Sequence, residues 1–170
     1  MNAAQKKLAQ SAAITLRCNC IVDRWIEKVN LISPTDGSIL RKDVVAIWDT
    51  GASASAISED LAQSLNLPVV GRVEISTAND VRQANSYFLS VQLANNAIIP
   101  YLRVSDCKLK GIDMLLGMDV INRGDFHISN CNGKTVFTFK MPSTDEKDYV
   151  RDIKLARACA TKATPPKKKK

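Results

Sequence analysis

The chain is poor in several things, and each shortage removes a class of function. Aromatic residues make up 5% of its 170 residues, too few to build the stacking platforms that single-stranded nucleic acid uses. No apolar run reaches the length needed to cross a bilayer as a helix. The amino terminus is interrupted by Gln5, Lys6, Lys7, Gln10 and Arg17 and forms no apolar export core. The one histidine, His127, stands inside a strand pattern, where a hydrogen-bonded histidine is the ordinary role rather than a metal ligand. Five cysteines (Cys18, Cys20, Cys107, Cys131 and Cys159) are odd in number, and none falls in the paired spacing of a zinc site. All five are expected as reduced thiols in a cytoplasmic protein that uses no metal and no cofactor.

What is present fits one globular unit with a basic end. Hydrophobic residues are 45% and charged residues 24%, enough for a single core at this length. The net charge is +7, but four of those charges lie in residues 167–170, which leaves +3 for the rest. The body is therefore only mildly basic, and residues 163–170 read as a disordered basic tail. Nucleic acid and membrane are not expected partners.

Strand patterns dominate the organisation. Residues 14–22 alternate in part, residues 25–32 resume the pattern, and Pro34-Thr35-Asp36-Gly37 turns the chain into a strand over 39–48. Ser58 reads as a helix cap, with Glu59 and Asp60 in the first turn and Asn66-Leu67-Pro68 as the stop. Residues 73–76 and 87–93 are expected to pair, with a further strand over 98–104. Asn132-Gly133 is the strongest hairpin signal, flanked by strands over 125–128 and 135–139. Ser143 and Glu146 suggest a capping box for a carboxy-terminal helix in which Tyr149, Val150 and Ile153 recur at helical spacing. The resulting division is a strand-rich extension (1–38), a central domain (39–142), a helix (143–162) and the tail (163–170).

One segment names a chemistry. Asp49-Thr50-Gly51-Ala52 follows the apolar run Val44-Val45-Ala46-Ile47-Trp48, so a carboxylate interrupts what would otherwise continue as buried strand. Such a placement is costly unless the carboxylate is paired, hydrogen-bonded or functional. Some sixty residues later comes Asp113-Met114-Leu115-Leu116-Gly117-Met118-Asp119, two leucines and a glycine ahead of a short helical stretch. In this order and at this separation, the two segments resemble the retropepsin-like aspartic proteases over roughly residues 44–139.

The resemblance implies a mostly β, single-lobe acid-protease barrel with short helices. It makes Asp49 the catalytic carboxylate and gives Thr50 the task of tying two active-site loops together. Gly51 would admit the tight turn, Ala52 and Ser53 would be small walls beside it, and Leu115, Leu116 and Gly117 would form the strand behind the loop. Asp119 reads as the cap of the short helix after it. Met118 stands where many retroviral members carry arginine, which points to a cellular or bacterial branch. The flap would fall on Thr77, Ala78, Asn79 and Asp80, in a stretch from 76 to 85 that contains no glycine, with Asp80 and Arg82 as groups that could bias substrate charge.

Aspartic proteolysis needs two carboxylates sharing one proton, and the chain holds no second Asp-Thr-Gly or Asp-Ser-Gly. The second aspartate must then come from another copy, which predicts a C2 homodimer acting on a peptide or protein substrate. A second function class stays open at this point: a retropepsin-like dimerisation or peptide-binding module without turnover, for which the glycine-free flap is the argument.

Overall fold

The computed structural model describes residues 10–76 and 81–162. Within them the chain runs through β1 (Ala12–Arg17), β2 (Trp25–Ile32), β3 (Ile39–Trp48), β4 (Ala56–Ser58), α1 (Glu59–Ser64), β5 (Gly71–Ser76) and β6 (Val81–Gln92). It continues through β7 (Ile98–Cys107), β8 (Met114–Leu116), α2 (Met118–Ile121), β9 (Asp125–Ser129), a 3-10 turn at Cys131–Gly133, β10 (Val136–Met141) and α3 (Tyr149–Lys162). The architecture is mostly β with short helices and a carboxy-terminal helix, as the alternating patterns predict.

The larger sheet has the order β2-β3-β8-β4-β7-β6-β5, and β2 also pairs with β6. Six strands therefore close into a ring, which removes the open edges that an unclosed sheet would expose, and β5 hangs on the outside of β6. The smaller sheet, β1-β10-β9, is antiparallel. An aromatic cluster fills the core: the Trp48 ring lies 4.8 Å from Phe139 and 5.2 Å from Phe137, so the end of the strand that leads into Asp49 is fixed by residues of the second sheet. Both phenylalanines are fully buried, each contributing about 1.5–3 kcal/mol by that burial.

One acid is buried in this apolar surrounding. Glu27 occupies an inward position of β2 beside Val29 and Leu31, where Trp48 Nε1 donates to its Oε2 at 3.1 Å and the Ala94 N–H donates to its Oε1 at 2.8 Å. Both oxygens are thus satisfied, yet burial still raises its pKa against those two hydrogen bonds.

Local signals act where the sequence places them. Ser58 Oγ accepts the Leu61 N–H at 3.2 Å and α1 follows it; Asn66, at φ +47°, turns the chain out of the helix. Asn132 and Gly133, at φ +53° and +70°, make the tight connection between β9 and β10. Three details differ from expectation. Residues 73–76 pair with 81–84 inside β6 rather than with 87–93, because β6 begins at Val81 and its later residues pair with β7. The first strand stops at Arg17, because Cys18 and Cys20 spend their backbone groups on Thr135 across the sheet end. The carboxy-terminal helix starts at Tyr149, with Asp148 Oδ1 accepting the Arg151 N–H at 3.0 Å.

Ser143 caps no helix. Its hydroxyl donates to Asp125, which also accepts the Thr144 N–H at 2.9 Å and lies 3.0 Å from Lys140 Nζ. Burial alone would raise the Asp125 pKa, but the bonds from Ser143, Thr144, Lys140 and Asp145 outweigh it and hold the carboxyl well below the usual range. His127 Nε2 meets the Tyr149 hydroxyl at 2.5 Å, the ordinary role expected of it.

Candidate active site

The loop after β3 is built on β8. β3 and β8 run parallel with Trp48 beside Leu116, and the Asp49 N–H continues the ladder by donating to the Leu116 carbonyl at 2.9 Å. Asp49 therefore leaves the strand from a fixed point. Its side chain is half-buried, whereas Thr50, Gly51 and Ser53 are exposed. The turn closes locally: the Gly51 N–H donates to Asp49 Oδ1 at 2.8 Å. A Cβ added at Gly51 would sit 3.1 Å from that same oxygen, so glycine keeps the carboxylate uncrowded.

Gly117 is the tighter requirement. A Cβ there would lie 2.7 Å from the carbonyl carbon of Ala54 and 2.9 Å from the Ala52 oxygen, which is backbone against backbone. Ala52 O also accepts the Met118 N–H at 2.8 Å. Leu115, half-buried, and Leu116, buried, supply the strand beneath the loop. Asp49, Thr50, Gly51 and Ala52 are thus brought onto Leu115, Leu116 and Gly117.

Residues 53–55 bring a correction. Asp119 does not cap α2, whose N-cap is Gly117 with no side-chain bond. Its carboxylate turns back to the loop and takes both groups of Ser55, the N–H at 3.0 Å and the hydroxyl at 2.7 Å. Ser55 Oγ in turn accepts the Gly117 N–H at 3.0 Å. The serine that fastens the loop is Ser55, fully buried, rather than the exposed Ser53. Asp113 performs a similar task one strand earlier, its Oδ2 accepting the Val45 N–H at 2.9 Å and its carbonyl accepting the Ser58 N–H at 2.8 Å.

Thr77, Ala78, Asn79 and Asp80, expected at the flap tip, lie outside the described residues. The strands leading to them, β5 and β6, pair antiparallel from Gly71↔Ser86 to Ser76↔Val81. Arg82 is not a free charge for substrate: its Nη1 bonds Glu59 Oε1 on α1 at 2.8 Å, and this hydrogen bond is the main reason its pKa is raised. Among the described residues, no group of three or more His, Cys, Asp or Glu side chains could hold a metal, and no helix is long and apolar enough to cross a membrane. The five cysteines are free thiols.

A lobe that seats one Asp-Thr-Gly loop on a Leu-Leu-Gly strand, closed by a β ring, is the arrangement that the resemblance to retropepsin-like aspartic proteases implies. The chain belongs to the family described as "gag-polyprotein putative aspartyl protease", whose profile matches residues 35–123, just over half of its length, and it is a retropepsin-like member by its motifs. It is similar to a solved retropepsin-like aspartic protease from Rickettsia conorii at 19% identity, over 78% of this chain and 96% of that one, with a TM-score of 0.49. The retroviral protease-like domain of Ddi1 from Leishmania major is similar at 19% identity, over 66% and 93%, with a TM-score of 0.37. The simian foamy virus protease is similar at 15% identity, over 57% and 91%, with a TM-score of 0.40. These likenesses select no branch of the family. The curated proteins include no match to this sequence.

Proposed function

We propose that the protein is an aspartic endopeptidase that works as a C2 homodimer, each copy giving Asp49 to one shared site. The observation that carries this reading is the lone Asp-Thr-Gly, held at a fixed exit point of β3 by Leu116 with its neighbours Thr50 and Gly51 exposed. A single carboxylate cannot hold both protonation states at once. Two of them about 3 Å apart share one proton, so one Asp49 acts as general base on a water while its protonated mate donates to the scissile carbonyl.

In this reading the exposed Thr50 hydroxyls tie the two loops across the axis, since the dyad tolerates little misplacement. Gly51, Ala52 and Ser53 keep the approach narrow and unobstructed, while Leu115, Leu116 and Gly117 hold the loop from beneath. The paired strands β5 and β6 cover an extended peptide that binds by strand pairing. The five free thiols support a reducing compartment, the cytoplasm. The unit that carries the site spans 39–142 together with β1 and β2 from the strand-rich segment 1–38, since β2 closes the ring and β1 pairs with β10.

The test is an unbiased peptide library incubated with the purified protein from pH 3 to 9, beside Asp49→Asn. The wild type is expected to cut at least one sequence with a rate that falls on both sides of an acid-to-neutral optimum, because the two apparent pKa values belong to the pair. Asp49→Asn keeps the volume and should abolish cleavage while remaining folded. No cleavage by the wild type at any pH would favour a peptide-binding or dimerisation module without turnover; equal cleavage by the mutant would remove Asp49 from the chemistry.

A further inference from the structure

Strand β6 changes partners at a single residue. From Ser86 to Gln92 it pairs with β7, and from Ser86 back to Val81 it pairs with β5, so Ser86 alone belongs to both registers. Ser86 is buried and its Oγ accepts from Arg103 Nη2 at 3.0 Å. Beyond that point β5 and the first half of β6 form a two-stranded ribbon outside the ring. Such a ribbon is marginal by itself, so its direction depends on what grips its base.

Asp106 is that grip. It follows Ser105, the last β7 residue paired to β6, and is 9% exposed. Its Oδ1 accepts the Asn85 N–H at 2.9 Å; its Oδ2 accepts Asn85 Nδ2 and the Tyr87 hydroxyl, both at 2.9 Å. One carboxylate thus holds the residues on either side of Ser86. The Asn85 N–H, half-buried, has lost its ladder partner where the β6–β7 pairing stops, and such an N–H needs another acceptor. A charged acceptor makes the stronger bond. A second tether lies further out, where Arg82 Nη1 bonds Glu59 and Nη2 reaches the Asp106 carbonyl at 3.4 Å.

We propose that Asp106 is a positioning residue for the peptidase site: by clamping Asn85 and Tyr87 it restrains bending of the β5–β6 arm at Ser86 and sets the angle at which the arm meets an extended substrate. The functional half of this inference rests on the endopeptidase reading; the mechanical half does not.

Amide hydrogen exchange on the full chain separates the two. Asp106→Ala should speed exchange about tenfold or more in residues 71–76 and 81–85, the expected scale for losing hydrogen bonds to a charged acceptor, while residues 87–92 keep their protection. Asp106→Asn, which retains one acceptor oxygen, should restore most of it. Should Asp106→Ala fail to fold, Tyr87→Phe reads the same separation at smaller amplitude. Faster exchange throughout β6 and β7, or no change in the arm, would overturn the clamp. On a library peptide that the wild type cuts, Asp106→Ala should raise KM about fivefold or more with kcat changed less than about twofold, the signature of lost uniform binding; a fall in kcat with KM unchanged would overturn the positioning role. If the wild type cuts nothing, the endopeptidase reading fails and the exchange result still decides the clamp.

Discussion

Ser55 Oγ lies 2.7 Å from Asp119 Oδ1, and the same hydroxyl oxygen receives the Gly117 N–H at 3.0 Å. Through one serine, the loop that begins at Asp49 is locked to the turn between β8 and α2, although the partners are 64 and 62 positions apart in the chain. Ser55→Ala leaves a buried N–H and a carboxylate oxygen without this partner, a loss of about 1–3 kcal/mol. A urea titration should show a lower midpoint at unchanged m, and any peptidase rate should fall further than stability alone explains. An unchanged midpoint would mean the lock is not needed.

Gly117→Ala is expected to be more damaging. The added Cβ meets the carbonyl carbon of Ala54 at 2.7 Å, and neither backbone can yield without shifting Ala52, whose carbonyl holds Met118. Overpacking of this kind costs about 1–3 kcal/mol or more. Thermal unfolding checks it, and a variant as stable as the wild type would show that the loop and β8 can separate.

The buried acid makes a pH prediction. Burial raises the Glu27 pKa above its ordinary 4.5, so the folded state binds a proton more tightly than the unfolded chain. Stability from this group is greatest below 4.5 and declines as pH rises through the raised folded value, then levels off. Glu27→Gln removes that decline, while one of its two donors now faces an amide NH2. Urea midpoints measured at intervals from pH 4 to 8 on both proteins decide the point; equal slopes would assign the decline to other groups.

Much of this was legible in the sequence for physical reasons. β3 ends at Trp48 as its apolar run does, α1 follows its serine cap, and the Asn-Gly turn joins β9 to β10, because each is set by residues close in sequence. The Leu-Leu-Gly strand and the Asp-Thr-Gly loop could be matched because their order and spacing accompany a known arrangement. What stayed hidden depends on contacts between distant segments. Asp119 looks like a helix cap from its neighbours and acts instead on Ser55. Glu27 carried a signal, a charge at an inward strand position between apolar neighbours, but its partners Trp48 and Ala94 come from other strands. Arg82 reads as a charge available to substrate until α1 brings Glu59 beside it.

The most direct test of the shared site is a mixing experiment. Wild-type protein is combined with a tenfold excess of Asp49→Asn under conditions where subunits exchange, and exchange is verified by mass spectrometry of tagged chains. If each site needs one Asp49 from each copy, wild-type pairs fall as the square of the wild-type fraction, and activity per wild-type chain should drop to about one-tenth. Unchanged activity per wild-type chain in a fully exchanged mixture would contradict the shared dyad.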